Sequence, residues 1–147
     1  DTDMFDKILN INLRGAYILN HYLSNRMKKY NSGKIINIAS IWSTKTKQGR
    51  SIYSISKNAI HGMTKSMSVE LSKFNILVNT VSPGFTKTDL TLETNTAEEI
   101  KLIEEKIPLN RMASTEEISN AIIFLLSHFN TYITGQNIIV DGGYCNV

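Results

Sequence analysis

Three short apolar segments, separated by helical stretches, constrain the fold more than any other feature of this chain. They span residues 35–38, 76–81 and 137–140. Continuous apolar runs of this length are typical of strands that are buried on both faces of a parallel sheet. Strands that alternate with helices form α/β sheets with right-handed crossovers. The sequence therefore predicts an α/β fold in which the 147 residues form a single domain.

The stretches between these segments have the periodicity of helices. The first predicted helix covers residues 4–30, and the second follows a polar loop at residues 43–50. The apolar residues at helical spacing are Ile8, Ile11, Leu19 and Leu23 in the first helix, Ile60, Met63, Met67 and Leu71 in the second, and Ile118, Ala121, Ile122, Leu125 and Leu126 in the last.

Two capping boxes mark further helix starts in the C-terminal half. Thr96 with Glu99 opens a short acidic helix within the polar segment 85–111, and Pro108 lies beyond its predicted end. Ser114 with Glu117 opens the last predicted helix. In each pair the hydroxyl and the carboxylate satisfy backbone N–H groups that a helix start leaves free.

Tyr53 and Lys57 form the most informative pair for chemistry. Residues four apart lie on the same face of a helix, so the ammonium group can act on the phenol. An unperturbed phenol has a pKa of about 10, and a fixed cation stabilises its ionised form. Such a phenol can protonate a carbonyl oxygen, or deprotonate an alcohol in the reverse direction, and Ser40 can hold the same oxygen. A tyrosine and a lysine that merely share a helix surface remain the alternative.

Four motifs follow one another along the chain. They are KIINIAS ending at Ser40, YSISK from Tyr53 to Lys57, LVNTVSPG ending at Gly84, and VDGG at residues 140–143. Motifs of this kind in this order resemble those of the short-chain dehydrogenase/reductase family. The resemblance covers essentially the whole chain and implies the C-terminal part of a Rossmann-type, doubly wound parallel sheet. It also implies that Asn12, Ser40, Tyr53 and Lys57 are the catalytic residues. Asn12 would hold a water that connects Lys57 to bulk solvent.

The same resemblance implies a cofactor and a substrate pocket. The cofactor would be NAD or NADP, bound near Tyr53 and Lys57 by four residues of one segment. These residues are Pro83, Gly84, Thr86 and Thr88. Gly84 would let the main chain pass close to the flat nicotinamide ring. Because carboxyl ends of parallel strands meet at one sheet edge, Ser40 and Pro83-Gly84 are expected to converge there.

The substrate would be a small carbonyl or alcohol compound. Ser40, Trp42, Tyr53 and Phe85 are expected to line its pocket, and residues 85–111 resemble the family's mobile substrate-covering lobe. A core tryptophan is the alternative for Trp42. The motif wording is closest to acyl-carrier-protein reductases, yet Asn31 and Phe74 stand where these have basic carrier-contacting residues. A 3-oxoacyl thioester is therefore one candidate substrate among others.

One half of the family's pattern is missing from the sequence. None of the eight glycines forms the Gly-rich turn that receives the cofactor pyrophosphate. The chain is thus expected to be a fragment, a partial Rossmann domain over residues 1–147 without the N-terminal phosphate-binding half, and to be inactive alone. The alternatives are a non-catalytic homologue that dimerises or binds, and a sugar-nucleotide epimerase, which shares YxxxK but fits the other motifs less well.

Composition excludes several other classes of function. No apolar run is long enough to span a membrane and no leader is present, which favours a cytoplasmic protein. The net charge of +3 is spread over scattered lysines, so nucleic-acid binding is not expected. The three histidines and the single Cys145 lack metal-ligand spacing. By resemblance, the full-length parent is expected to form a homodimer or homotetramer.

Overall fold

A three-stranded parallel sheet forms the centre of the computed structural model, which describes residues 1–147. The strands are β1, Gly33–Ile38; β2, Ile76–Pro83; and β3, Asn137–Val140. They lie in the order β1-β2-β3, and β2 pairs in parallel with both neighbours. The predicted α/β class and all three predicted strands are therefore confirmed.

Six α-helices and several shorter helical turns surround the sheet. The α-helices are α1, Thr2–Leu9; α2, Gly15–Lys28; α3, Ser51–Leu71; α4, Asp89–Thr94; α5, Ala97–Glu104; and α6, Thr115–Leu126. A π-helical segment, Asn10–Arg14, joins α1 to α2, and 3-10 turns cover Ile41–Ser43, Ser72–Phe74 and Tyr144–Asn146.

The core lies on both faces of the sheet, because β2 points alternate side chains to opposite sides. On one face Ile76 and Val78 pack with Ile35 of β1 and Leu71 of α3. On the other face a second cluster packs β2 against α6. Its buried members are Val81, Ile118 and Leu125. Helices on both faces are the arrangement expected of a doubly wound sheet.

Polar side chains fill part of the core where apolar ones were expected. On α3 the predicted core residues Ile60 and Leu71 are buried, but Met63 and Met67 are only half-buried. The small polar residues Ser56, Thr64 and Ser68 are buried on that helix instead. Small side chains let α3 approach the sheet closely, and their hydroxyls form hydrogen bonds inside the core.

The predicted first helix over residues 4–30 is wrong as a single regular helix. The π-helical segment Asn10–Arg14 interrupts it, and the predicted apolar face does not lie in the core. Ile11 is 67% exposed and Leu19 is 60% exposed, and Leu23 is also exposed. The side chains that α2 buries are Asn20 and Ser24, because Asn20 reaches a polar partner in the sheet.

Both predicted capping boxes are present, with reciprocal hydrogen bonds at Thr96–Glu99 and Ser114–Glu117. The prediction for α6 is wrong at Leu126, which is 46% exposed because it lies at the end of the helix, away from the sheet. The sequence analysis also missed α4, whose start is capped by Thr88. No helix of the structure has both the length and the apolar character that crossing a membrane requires.

Candidate active site

Tyr53 and Lys57 lie on one face of α3, as their spacing predicts. The Lys57 ammonium group lies 5.8 Å from the centroid of the Tyr53 ring. Lys57 Nζ also donates a hydrogen bond of 3.1 Å to the backbone oxygen of Ile38, at the end of β1. This bond holds the cation beside the phenol. Burial lowers the pKa of Lys57, because desolvation penalises its charged form.

Ser40 lies buried just beyond the end of β1 and begins a 3-10 turn. Its Oγ accepts a hydrogen bond of 3.3 Å from the backbone N–H of Trp42. The Ser40 hydroxyl donates no bond within the chain, so its hydrogen is free for an outside oxygen. Ser43 Oγ donates to the Ser40 carbonyl at 2.7 Å and contacts Ser82 Oγ at 3.2 Å. The turn that carries Ser40 is thus tied to the end of β2.

Asn12 lies in the π-helical segment between α1 and α2 rather than in a regular helix. Its Nδ2 donates a hydrogen bond of 3.0 Å to Ser56 Oγ, which in turn donates to the Tyr53 carbonyl at 2.7 Å. The π-helical widening changes the direction of side chains along the helix, and such segments are frequent at functional sites. Here the widened turn joins Asn12 to the helix that carries Tyr53 and Lys57.

Gly84 follows β2 directly, at the same sheet edge as Ser40, so the predicted convergence of these two loops is found. Its N–H donates a hydrogen bond of 2.8 Å to the Val140 carbonyl. A Cβ at position 84 would lie 2.7 Å from the Asp141 Cα, which is too close for any side chain. The close approach of the chain after β3 therefore requires glycine at position 84, a requirement that the sequence analysis missed.

Thr86 and Thr88 differ in which of their polar groups form hydrogen bonds within the chain. Thr86 Oγ1 donates to the Gly84 carbonyl at 3.2 Å, whereas the Thr86 N–H makes no hydrogen bond within the chain. Thr88 Oγ1 accepts the Thr91 N–H at 3.2 Å, which caps α4. The Thr86 N–H is thus free to donate to a bound group, while the Thr88 hydroxyl already has a structural role.

Trp42 and Phe85 belong to an aromatic cluster that also contains Tyr144. The rings meet edge-on, with centroids 6.2 Å apart for Trp42 and Phe85, and 5.2 Å apart for Phe85 and Tyr144. Trp42 is only 8% exposed, so it acts as a core residue of this loop. Phe85 and Tyr144 line a cavity of about 330 Å³ under α4 and α5.

The sequence analysis did not single out Ser82, Asn137 and Tyr144. Ser82 Oγ donates to Asn137 Oδ1 at 2.6 Å, which extends the support of Ser40 across β2 to β3. Tyr144 enters the aromatic cluster because Gly142 and Gly143, with φ of +64° and +90°, turn the chain back after β3. VDGG was read only as a motif of the family, and nothing in the sequence signalled the partners that this turn brings together.

Comparison with known proteins identifies the family. A family model described as enoyl-(acyl carrier protein) reductase matches residues 1–145. The chain belongs to the short-chain dehydrogenase/reductase family. This result confirms the resemblance drawn from the motifs at Asn12, Ser40, Tyr53 and Gly84, although it assigns no role to any single residue.

Similar proteins from two bacteria are named as reductases. A 3-oxoacyl-[acyl-carrier-protein] reductase of Rickettsia felis is 42% identical over 139 residues, covering 95% of this chain and 57% of the relative. An acetoacetyl-CoA reductase of an Acinetobacter species is 35% identical over 141 residues, covering 96% of this chain and 56% of the relative. The chain thus spans a little over half the length of these relatives.

Solved structures agree with the fold. A gluconate 5-dehydrogenase from Burkholderia cenocepacia, in complex with NADP and tartrate, superposes with a TM-score of 0.94 at 27% identity. The match covers 100% of this chain and 58% of that structure. These similarities favour the oxidoreductase interpretation over a module that only binds or dimerises.

Proposed function

We propose that this chain supplies the catalytic residues of an NAD(P)-dependent oxidoreductase that interconverts a carbonyl and an alcohol. The observation that carries the proposal is the Lys57 ammonium group, which lies 5.8 Å from the Tyr53 ring centroid and is held there by the Ile38 carbonyl. A phenol beside a fixed cation can give up its proton and take it back during turnover.

Each residue has one task in the proposed reaction. The nicotinamide, when bound, supplies a hydride to the carbonyl carbon or accepts one from the alcohol carbon. Tyr53 transfers its phenolic proton to the carbonyl oxygen, while the Ser40 hydroxyl donates a hydrogen bond to the same oxygen and keeps its own proton. Lys57 stabilises the phenolate that remains. Asn12, held by Ser56, keeps a water near Lys57, through which a proton returns to Tyr53.

The cofactor fits the chain's own residues after β2. The free Thr86 N–H can donate to the nicotinamide carboxamide, and Pro83-Gly84 carries the backbone past the site. We assign Thr88 a hydroxyl contact to the cofactor. Its Oγ1 accepts the Thr91 N–H and lies 2.9 Å from Thr91 Oγ1, so it can donate to the cofactor when Thr91 is the donor within that pair. Both NAD and NADP remain candidates, and the gluconate dehydrogenase structure with NADP supports this class of cofactor.

The substrate class follows from the relatives and from the segment over the cavity. The relatives' names point to oxoacyl thioesters and to sugar acids. Residues 85–111, which include α4 and α5, cover the cavity lined by Phe85 and act as the substrate-covering lobe. The proposed substrate is therefore a small molecule with a carbonyl or a secondary alcohol that reaches Ser40 and Tyr53.

The test is the Tyr53→Phe variant, made in the complete reading frame that encodes this chain. NADH and NADPH consumption is followed with acetoacetyl-CoA and with keto sugar acids. Tyr53→Phe should lower kcat by about 100-fold or more, since it removes the proton donor, and should leave the melting temperature unchanged.

The matched control is Tyr132→Phe, which removes a phenol that is 95% exposed. It should keep full turnover. If Tyr53→Phe retains about a tenth or more of the wild-type kcat, the acid–base role of Tyr53 is wrong.

A further inference from the structure

The cavity under α4 and α5 has an unbalanced positive charge. Three cationic side chains line it, from Lys47 and Arg50 in the loop before α3 and from Lys106 just after α5. None of its ten lining residues is acidic. The chain's two salt bridges, Lys87–Glu104 and Arg111–Glu117, do not involve these cations. Cations that share a cavity without a counter-charge create a positive potential that attracts anions.

Four of the ten residues that line the same cavity are apolar or aromatic. Phe85 and Tyr144 form one side, and Leu90 and Ile103 contribute from α4 and α5. The volume of about 330 Å³ lies within the range of small-molecule sites. A ligand that matches both features has an anionic group on a stem that can lie against aromatic rings.

Contacts link this cavity to the proposed reaction centre. Phe85 packs edge-on against Trp42, with centroids 6.2 Å apart, and the Trp42 N–H donates to Ser40 Oγ at 3.3 Å. Lys47 Nζ lies 5.5 Å from the Trp42 ring centroid. Arg50 precedes α3 directly and accepts the Ser54 N–H through its carbonyl at 2.8 Å, one residue from Tyr53. A molecule held at Ser40 and Tyr53 thus has the cationic cavity beside it.

We propose that Lys47, Arg50 and Lys106 bind an anionic group of the substrate while Phe85 and Tyr144 contact its stem. This proposal rests on the proposed oxidoreductase function, which it extends to substrate selection. Arg50 suits either a carboxylate or a phosphate, because its guanidinium can form paired hydrogen bonds with both. The shared chemistry is an anionic oxygen group at the end of the substrate opposite its carbonyl.

The experiment measures binding to the protein encoded by the complete reading frame, by NMR titration with two pairs of probes. Levulinate is compared with the neutral levulinamide, and S-acetoacetyl phosphopantetheine with S-acetoacetyl pantetheine. In at least one pair, the anionic probe should bind about tenfold more tightly, because three partly exposed cations contribute modestly each. The pair that shows the preference identifies a carboxylate or a phosphate as the recognised group. Equal binding within both pairs, or no binding of any probe, overturns the proposal.

Variants test whether the cationic residues of the cavity cause the preference for the anionic probes. Arg50→Gln and Lys106→Gln should each reduce the preference by about three- to fivefold. Lys101→Gln, an exposed lysine on α5 outside the cavity, is the matched control and should not change it. The preference should also weaken when salt rises from about 20 to about 300 mM, because salt screens exposed charges. A Lys101→Gln effect as large as that of Lys106→Gln contradicts the assignment.

The two proposals fail in different ways. Tyr53→Phe should lower kcat by about 100-fold or more and leave the anion preference intact, because the phenol does not line the cavity. Full turnover in Tyr53→Phe with an intact preference overturns only the acid–base assignment. Normal turnover by the wild-type protein without any anion preference overturns only the anion site.

Discussion

Lys57 combines two roles whose requirements oppose each other. In the proposed reaction its charge must persist to stabilise the phenolate that Tyr53 leaves after proton transfer, yet burial on α3 lowers the pKa of its ammonium group. The hydrogen bond of 3.1 Å to the Ile38 carbonyl holds the side chain in place despite this cost. The residue is therefore sensitive to alkaline pH.

The pH dependence of turnover should reveal this property. Catalysis should fall as pH rises through the lowered pKa of Lys57, so the fall should begin below the pH at which an exposed lysine titrates. Lys57→Arg keeps a cation at every accessible pH, so its residual kcat/KM should hold to higher pH than that of the wild type. Lys65→Arg on the same helix is the control. If kcat/KM falls at the same alkaline pH in Lys57→Arg as in the wild type, the charge of residue 57 does not have the proposed role in catalysis.

At the scale of an element, α6 shows how a helix start is set by charge and hydrogen bonds. The Glu117 carboxylate accepts the Ser114 N–H at 2.8 Å and two bonds from the Arg111 guanidinium at 2.7 and 2.6 Å. The hydrogen bonds from Arg111, followed by that from Ser114, lower the pKa of Glu117 to about 2. The capping box was readable from the sequence, but the partner Arg111 was not.

Thermal stability should therefore depend on pH through the ionisation of the Glu117 carboxylate. Its folded-state pKa lies below the unfolded value of about 4.3, so its contribution is present above that value and disappears as pH falls towards 2. The melting temperature should drop more steeply between about pH 5 and pH 2 in the wild type than in Glu117→Gln. Glu70→Gln, an exposed carboxylate on α3, should keep the wild-type slope. Equal slopes in wild type and Glu117→Gln would show that this carboxylate does not contribute.

At the scale of the whole molecule, a buried polar chain connects four elements on one face of the sheet. Asn20 Nδ2 of α2 donates to Asn37 Oδ1 of β1 at 2.6 Å, and Asn37 Nδ2 donates to Thr64 Oγ1 of α3 at 2.9 Å. Thr80 Oγ1 of β2 donates to Thr64 Oγ1 at 2.8 Å. All four side chains are buried. Each of them therefore depends on its partner, because water cannot replace a lost bond.

Thr64→Val should destabilise the fold, although the side chain at position 64 keeps nearly the same volume. The substitution removes the hydroxyl and leaves the Asn37 amide and the Thr80 hydroxyl without their partner, which should lower the free energy of unfolding by about 1–3 kcal/mol. Urea denaturation followed by circular dichroism measures the change. Thr131→Val makes the same change at an exposed position and should have little effect. A loss below about 0.5 kcal/mol for Thr64→Val would show that the core adapts to the missing hydroxyl.

Local patterns determined the three strands, the starts of α5 and α6, and the pair at the centre of the candidate site. Strand positions, both capping boxes and the shared face of Tyr53 and Lys57 depend on spacing within a few residues, and spacing is a property of the sequence itself. The loops of Ser40 and Gly84 were placed together because parallel strands end at one sheet edge.

Tertiary structure alone decided the partners that lie far apart in the chain. Which surfaces meet decides several features that the sequence did not indicate. These are the burial of Asn20, the exposure of Ile11, the support of Ser40 by Ser82 and the grouping of cations around one cavity. Those surfaces meet through packing between elements that are tens of residues apart, and hydrophobic periodicity within one element carries no information on its neighbours. Asn12 in the π-helical segment likewise has its partner on another helix, because its amide donates to Ser56 Oγ of α3.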